Sequence, residues 1–223
     1  MVENNSFQVM KDLQGYFKEG ERKAIYNAAE SLRDKLLIRL LWITGRRINE
    51  ILNIKVHEID NELKQITIHL EKKTMKLKDE EGHNVFDEDN KQVRVKKDVL
   101  DISYIDDLTH DLIIAYVNQN KLQSNDYLFK SDFQNNSPIT RQRAFQIVRR
   151  LCKIVGIENV GNDKPHPHHF RHSLAVDIAK QMKNPADVRK LQNILGHSSL
   201  AVTEQYLKFS NEEIRELIDN IGN

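Results

Sequence analysis

The chain has 223 residues, of which 39% are hydrophobic, and 34 lysines and arginines face 33 aspartates and glutamates for a formal net charge of +1. This length suits one domain, or one domain with an arm, and the hydrophobic content excludes a disordered chain. The near-neutral charge lacks the basic excess usual in DNA-binding domains, yet it permits a basic face balanced by an acidic one. No apolar run reaches the roughly 20 residues of a membrane span, Met1–Asn5 do not resemble a signal peptide, and the single Cys152 excludes an internal disulfide. These features predict a cytoplasmic protein.

The first 52 residues predict an arm followed by helices. Residues 1–20 are polar and predict an arm or a short helix. Ser31 is a candidate N-cap for an amphipathic helix with leucines at helical spacing, and Gly45 is expected to end that helix. A second short helix is predicted at residues 47–52.

A β-hairpin is predicted next. Residues 65–71 alternate between apolar and polar side chains, which is typical of a half-buried strand, and we expect residues 72–74 to close it. Residues 92–95 and 99–103 predict two returning strands. The connection from the first strand to these returning strands is dense in acidic residues, namely Asp79, Glu80, Glu81, Asp87, Glu88 and Asp89.

The second half of the chain predicts further helices. Residues 104–118 place four apolar side chains on one stripe, Leu108, Leu112, Ile113 and Tyr116. Thr140 is a candidate N-cap for a helix at 141–155 that holds Cys152 in its core. Helices are also predicted at 171–182, 186–195 and 211–221. The predicted fold class is mostly α with a small antiparallel β-sheet.

A cluster of phosphate-binding side chains is predicted close to the C-terminus. His168 and Arg171 are spaced i, i+3, which places them on one face of a helix. Histidine and arginine both donate hydrogen bonds to phosphate oxygens, and arginine can donate two in parallel. His197 and Tyr206 follow, and the Tyr206 phenol is a nucleophile able to form a covalent phosphodiester.

Four short motifs stand in order between residues 44 and 206. Residues 44–51 read T-G-R-R-I-N-E-I, residues 168–172 read H-H-F-R-H, residues 195–198 read L-G-H-S, and residues 203–206 read T-E-Q-Y. They resemble the conserved boxes of the tyrosine recombinases, also called phage-type integrases, over about residues 20–210. The resemblance implies the catalytic-domain fold of that family at residues 21–210.

The resemblance also implies a site and a reaction. It assigns catalysis to six side chains, namely Arg47, Lys73, His168, Arg171, His197 and Tyr206. Glu50 would orient the first arginine. The family's hairpin lysine is matched by Lys73, with Lys72 as a close rival, although the hairpin here is longer and more acidic than usual. The implied function is site-specific cleavage and rejoining of double-stranded DNA through a 3′-phosphotyrosine, with self-association on DNA, a cytoplasmic, nucleoid-associated location and no metal or nucleotide cofactor.

Several alternatives remain open at the level of sequence. The clustered histidines His166, His168, His169 and His172 could bind zinc. A type IB topoisomerase-like enzyme would use the same chemistry, and a non-catalytic DNA-binding regulator could share the fold. Only about 20 residues precede the domain, so the chain could be a catalytic fragment or a minimal recombinase. The predicted helix at 211–223 could pack on a neighbouring protomer or on its own domain.

Overall fold

The computed structural model describes residues 15–79, 81–87, 89, 91–132 and 137–181. Six helices occur in these ranges: α1 Glu19–Asn27, α2 Leu32–Thr44, α3 Ile48–Leu52, α4 Asp107–Asn120, α5 Arg141–Ile154 and α6 His168–Gln181. The strands are β1 Ile59–Asp60, β2 Gln65–Lys76 and β3 Arg94–Tyr104. A mostly helical fold with one small antiparallel sheet confirms the predicted class. None of these described helices combines the length and apolar character needed to cross a bilayer.

Helix α2 is the helix around which the others pack. Five of its side chains are at most 1% exposed, namely Leu36, Leu37, Ile38, Leu40 and Leu41. Helix α2 contacts α1, α3, α4, α5 and α6, and none of its residues is exposed. The predicted caps are confirmed, because Ser31 Oγ accepts a hydrogen bond from Asp34 N at 3.1 Å and Gly45 ends the helix in the left-handed conformation at φ 58°.

The sheet has the order β1-β2-β3, and β2 pairs antiparallel with both neighbours. The predicted alternation is confirmed, because Ile66, Ile68 and Leu70 are buried. The expectation that residues 72–74 close the strand is wrong, since pairing with β3 continues to Lys76 opposite Arg94. The two predicted returning strands are one continuous strand, because β3 pairs with β2 from Arg94 to Tyr104.

The later helices differ from the prediction in three details, of which the first is that α4 begins at Asp107 instead of residue 104, which still pairs within β3. Thr140 Oγ1 accepts a hydrogen bond from Arg143 N at 3.1 Å, as expected of an N-cap, and Cys152 is fully buried. The buried stripe of α4 begins with Thr109 instead of Leu108, which is 48% exposed. Helix α6 begins three residues before the predicted start at 171. The predicted helices at 186–195 and 211–221 lie outside the described residues.

Candidate active site

A glycine turn between α2 and α3 sends two consecutive arginines in different directions. Gly45 adopts a positive φ, which glycine does without the steric cost that a Cβ would impose. Thr44 Oγ1 donates a hydrogen bond to the Leu40 carbonyl oxygen at 2.7 Å and accepts one from Arg46 N at 3.3 Å. The turn is therefore fixed at both ends, and the positions of Arg46 and Arg47 are fixed with it.

The first arginine, Arg46, is bound inside the protein. Its side chain is 2% exposed, and its guanidinium makes three contacts with β3. Nε donates to Ser103 Oγ at 2.8 Å, Nη1 donates to Asp101 Oδ2 at 2.9 Å, and Nη2 donates to the Ile102 carbonyl oxygen at 3.2 Å. Arg46 therefore ties the turn to the sheet.

The second arginine, Arg47, faces the exterior. Its side chain is 37% exposed, and its Nη1 donates to Glu50 Oε1 at 3.1 Å. The other oxygen of Glu50 accepts a hydrogen bond from the backbone N–H of Arg47 at 2.9 Å. Because the Glu50 side chain is only 1% exposed, it is a fixed anchor for the guanidinium. This geometry supports an orienting role for Glu50.

Arg171 joins α6 to the same turn. Its Nη1 donates a hydrogen bond to the Gly45 carbonyl oxygen at 2.9 Å, and the residue is 2% exposed. The two arginine motifs, which lie more than 120 residues apart in the sequence, therefore meet at one turn. Tertiary structure therefore brings Arg171 to the C-terminal end of α2, where Arg47 follows in the sequence.

A cavity of about 330 Å³ opens beside this turn. Its walls come from the start of α3, from α5 and from the segment that enters α6, and consist of Arg46, Arg47, Ile48, Asn49, Arg141, Phe145, His166, Pro167 and His168. Arg47 and His168, two of the predicted catalytic residues, thus line one cavity. The wall also holds Arg141, whose guanidinium lies 5.2 Å from the centroid of the Phe145 ring. A cavity lined by several cations suits an anionic group such as a phosphodiester.

The pKa of the His168 imidazole lies below its ordinary value. Its main cause is desolvation by the surrounding protein, to which the charges of His172, Arg171, His166 and Arg47 add. Since His168 is exposed towards the cavity, solvent offsets part of this effect. The direction is nevertheless shared by every cause, so His168 is neutral at pH 7 and able to accept a proton.

Hydrogen bonds fix the protonation of two neighbouring histidines. His166 Nδ1 accepts from the backbone N–H of His168 at 3.2 Å, and His169 Nδ1 accepts from the backbone N–H of His166 at 3.2 Å. A neutral imidazole has one unprotonated nitrogen, so both rings carry their proton on Nε2.

This protonation bears on the zinc hypothesis. Asp163, His166 and His169 place one potential ligand atom each within 4.8 Å of one another. However, zinc requires a free nitrogen lone pair on each histidine, and the backbone already occupies those of His166 and His169. The described residues of this cluster therefore do not fit a zinc site without breaking both hydrogen bonds.

The remaining predicted site residues are placed in part or not at all. The Lys73 backbone lies within β2, opposite Lys97, next to an irregularity in pairing between Leu70 and Lys73. His197 and Tyr206 lie outside the described residues. The four sequence motifs do not include Arg141 and Phe145, which line the cavity. Their N-terminal position on a basic helix, just after the Thr140 cap, is the signal that could have found them.

The chain is similar in sequence to known proteins. It is 27% identical over 218 residues to tyrosine recombinase XerC of Staphylococcus epidermidis, covering 94% of this chain and 62% of that protein. It is 26% identical over 213 residues to tyrosine recombinase XerA of Pyrococcus horikoshii, covering 95% of this chain and 63% of that protein. The chain thus spans less than two thirds of the length of these relatives.

Solved structures share the fold. A crystal structure of XerA recombinase matches with a TM-score of 0.65 and 24% identity, over 92% of this chain and 64% of the other. XerH site-specific recombinase bound to its difH substrate matches with a TM-score of 0.62 and 23% identity, over 90% and 52%. The family model described as the phage integrase family matches residues 16–213. Because this match spans most of the chain, the protein belongs to the phage integrase family.

Proposed function

We propose that this chain is the catalytic part of a tyrosine recombinase, which cleaves and rejoins double-stranded DNA at a specific site through a 3′-phosphotyrosine intermediate. The observation that carries the proposal is the meeting of two distant arginine motifs, since Arg171 binds the turn that presents Arg47 beside the cavity. The relatives are named tyrosine recombinases, and the XerH structure holds the difH substrate. Residues 21–210 would form the catalytic domain, and residues 1–20 an arm.

The scissile phosphate would bind between the cations of the site. Attack on a phosphodiester places developing negative charge on the nonbridging oxygens, and preorganised donors stabilise that charge best. Arg47 is held by a buried carboxylate and Arg171 by a backbone carbonyl, so both guanidinium groups are preorganised before the substrate binds. His197 would supply a further donor.

The proposed reaction moves one proton at each end. The Tyr206 oxygen attacks phosphorus and gives its proton to His168, because a free phenol with a pKa near ~10 needs a base at neutral pH. The bond from phosphorus to the 5′ oxygen breaks, and Lys73 donates a proton to that oxygen. The resulting 3′-phosphotyrosine keeps the phosphodiester bond energy, so a 5′-hydroxyl can reverse the step and rejoin a strand.

The substrate also sets the state of the base. The positive charges of Arg47 and Arg171 add to the lowering of the His168 pKa in the free protein. A bound phosphodiester anion would offset those charges and so raise the pKa of His168 back towards its ordinary value. Its basicity would therefore be greatest when substrate is present.

The proposal includes self-association on DNA and a cytoplasmic, nucleoid-associated location. Residues 211–223 carry an apolar stripe in sequence, Ile214, Leu217, Ile218 and Ile221. A free apolar face is costly, so it must pack either on a neighbouring protomer or on its own domain. In the first case, packing on a neighbour would tie cleavage to assembly. A chain without residues 211–223 should then remain a folded monomer that binds one site but forms no synaptic complex, whereas early melting of that chain would place the helix on its own domain.

The test is covalent capture of DNA. The wild-type chain is incubated with nicked duplexes carrying fragments of host DNA, and denaturant-resistant adducts are isolated and sequenced. Wild type and the control variant Tyr104→Phe should form adducts at one recurring sequence, while Tyr206→Phe should bind DNA and form none. Adducts from Tyr206→Phe would overturn the assignment of the nucleophile. Adducts without sequence preference, with relaxation of supercoiled plasmid, would favour a type IB topoisomerase-like enzyme, and absence of adducts from wild type would favour a DNA-binding regulator.

A further inference from the structure

The segment that leads into α1 holds one side of α6. His169, Ser173 and Asp177 are spaced i, i+4, i+8 and therefore share one face of that helix. The Phe17 backbone N–H donates to Ser173 Oγ at 2.9 Å, and the Phe17 ring lies edge-on to the His169 ring with centroids 5.6 Å apart. We call this face of α6, formed by His169, Ser173 and Asp177, the clamped face.

The clamped face ends in an ion pair whose arginine is buried. Arg22 Nη2 lies 2.5 Å from Asp177 Oδ2, and the Arg22 side chain is 1% exposed while that of Asp177 is 36% exposed. The Arg22 guanidinium also lies over the Trp42 ring of α2, 5.3 Å from its centroid. Its remaining donors, Nε and Nη1, have no hydrogen-bond partner among the described residues.

The buried Arg22, with two donors that lack a partner among the described residues, contributes little to the stability of the fold. A buried donor without a partner lowers stability, because it loses its hydrogen bonds to water and gains none in return. The ion pair also gains little over an apolar contact of similar volume, since desolvation of the buried guanidinium offsets part of the attraction. Methionine at position 22 could pack against Trp42 without unpaired donors. The ion pair of Arg22 therefore fixes the position of Asp177, which an apolar contact at position 22 would not do.

The helix that receives this constraint carries the candidate catalytic groups. His168 and Arg171 lie in the first turn of α6, off the clamped face, and Arg171 reaches the Gly45 carbonyl from there. Helix α6 is thus held along its length by Phe17, by Arg22 and by the glycine turn. A shift of α6 along its axis would move His168 and Arg171 together relative to Arg47.

We propose that Arg22 is a positioning residue for DNA cleavage, which acts through its ion pair with Asp177 to fix α6 so that His168 and Arg171 stand in register with Arg47. The inference rests on the proposed function for its kinetic consequence. It predicts that the loss of Arg22 slows the chemical step and leaves DNA affinity unchanged, because misplacement of reacting groups by about 1 Å can cost on the order of 100-fold in rate.

The chain offers a matched control in Arg39. Its guanidinium lies over the same Trp42 ring at 5.0 Å, and its ion pair and hydrogen bonds go to Asp106 and Thr109 at the start of α4. Arg22→Met and Arg39→Met therefore each remove one cation from Trp42 and break one ion pair, but only the first releases α6. The experiment compares both variants with wild type in single-turnover adduct formation, in DNA binding and in unfolding by urea.

Arg22→Met should cleave roughly 10- to 100-fold more slowly than wild type at unchanged DNA affinity, and Arg22→Lys should restore most of the rate because it keeps the charge beside Asp177. Arg39→Met should keep the wild-type rate per folded molecule. If Arg22→Met does not fold, Asp177→Asn serves instead and should slow cleavage similarly. Equal rates for Arg22→Met and Arg39→Met, or for Asp177→Asn and wild type, would overturn the proposal.

A second readout does not depend on catalysis. The imidazole NMR signals of His168 and His169 report the position of α6 and should shift in Arg22→Met but not in Arg39→Met. Unshifted signals in Arg22→Met would also overturn the proposal. If wild type forms no adduct, the proposed function fails, whereas the histidine signals still decide whether Arg22 positions α6.

Discussion

Arg171 donates a hydrogen bond to the Gly45 carbonyl oxygen at 2.9 Å, which ties the start of α6 to the turn that presents Arg47. Arg171 is also 2% exposed, so it both supports the fold and stands at the candidate site. Substitution of Arg171 would lower stability and activity together. The two neighbouring arginines of the turn separate these effects more clearly, because one is buried against β3 and the other faces the cavity.

Arg46→Lys and Arg47→Lys should have opposite consequences. Arg46→Lys removes planar contacts to Ser103 Oγ and the Ile102 carbonyl, so we expect the free energy of unfolding to fall by roughly 2–3 kcal/mol. Arg47→Lys should change unfolding little but lower the cleavage rate by about 100-fold, because a lysine does not reproduce the bidentate donors. Urea unfolding and single-turnover cleavage measure the two quantities. Wild-type cleavage by Arg47→Lys would contradict its assignment.

Acidification should destabilise the fold through the histidines of α6. His169 is 2% exposed and its ring stacks on that of His166 at 3.7 Å, and burial first, then the nearby histidine charges, lower the pKa of His169 from 6.5 to about 3. The folded state thus favours neutral His169, so this stability is complete above the unfolded pKa of 6.5 and is lost as pH falls from there towards 3. Urea midpoints measured from about pH 7.5 to about pH 5 should fall.

A substitution isolates the contribution of His169. His169→Asn keeps an acceptor near the backbone N–H of His166 but cannot titrate, so its stability should depend less on pH, by roughly 1 kcal/mol per pH unit below 6. His83, which is 73% exposed in the hairpin, supplies the substitution His83→Gln as a control for the loss of an exposed imidazole. An unchanged slope in His169→Asn would show that other groups cause the acid sensitivity.

Local chemistry explains which parts of the fold could be predicted. Ser31 and Thr140 begin helices and Gly45 ends one, each through a hydrogen bond or a backbone angle within four residues of itself. Sequence alone therefore identified them. The length of β2 was underestimated because its outer part is held by pairing with residues 94–97, and such pairing leaves no periodic signal in a charged strand.

The site shows the same division between local and tertiary information. The motif spacing distinguished Arg47 from Arg46, and the structure gives a physical reason, since Arg46 is occupied by β3. The position of Arg141 and Phe145 at the start of a basic helix is a local signal, but only the packing of α5 against α3 brings them to the cavity. The hydrogen bonds to the ring nitrogens of His166 and His169 likewise depend on the bend of the chain before α6.

Chelation should not affect the protein. The backbone occupies the unprotonated nitrogens of His166 and His169, so we expect EDTA to leave both the cleavage rate and the melting temperature unchanged. Added Zn²⁺ should raise the melting temperature no more in wild type than in Asp163→Asn. Loss of activity with EDTA, or stabilisation by Zn²⁺ that requires Asp163, would restore the zinc hypothesis.

The leaving-group acid can be assigned by changing the leaving group. Lys72 and Lys73 are consecutive in β2, and both are candidates for the acid that protonates the 5′ oxygen. A substrate with sulfur at the bridging 5′ position releases a thiolate, which needs no proton. Lys73→Ala should therefore cleave the oxygen substrate about 100-fold more slowly than wild type, yet cleave the sulfur substrate at nearly the wild-type rate. Lys72→Ala is the matched control and should cleave both like wild type. If sulfur restores Lys72→Ala instead, the acid is Lys72, and if it restores neither variant, the proton comes from another residue.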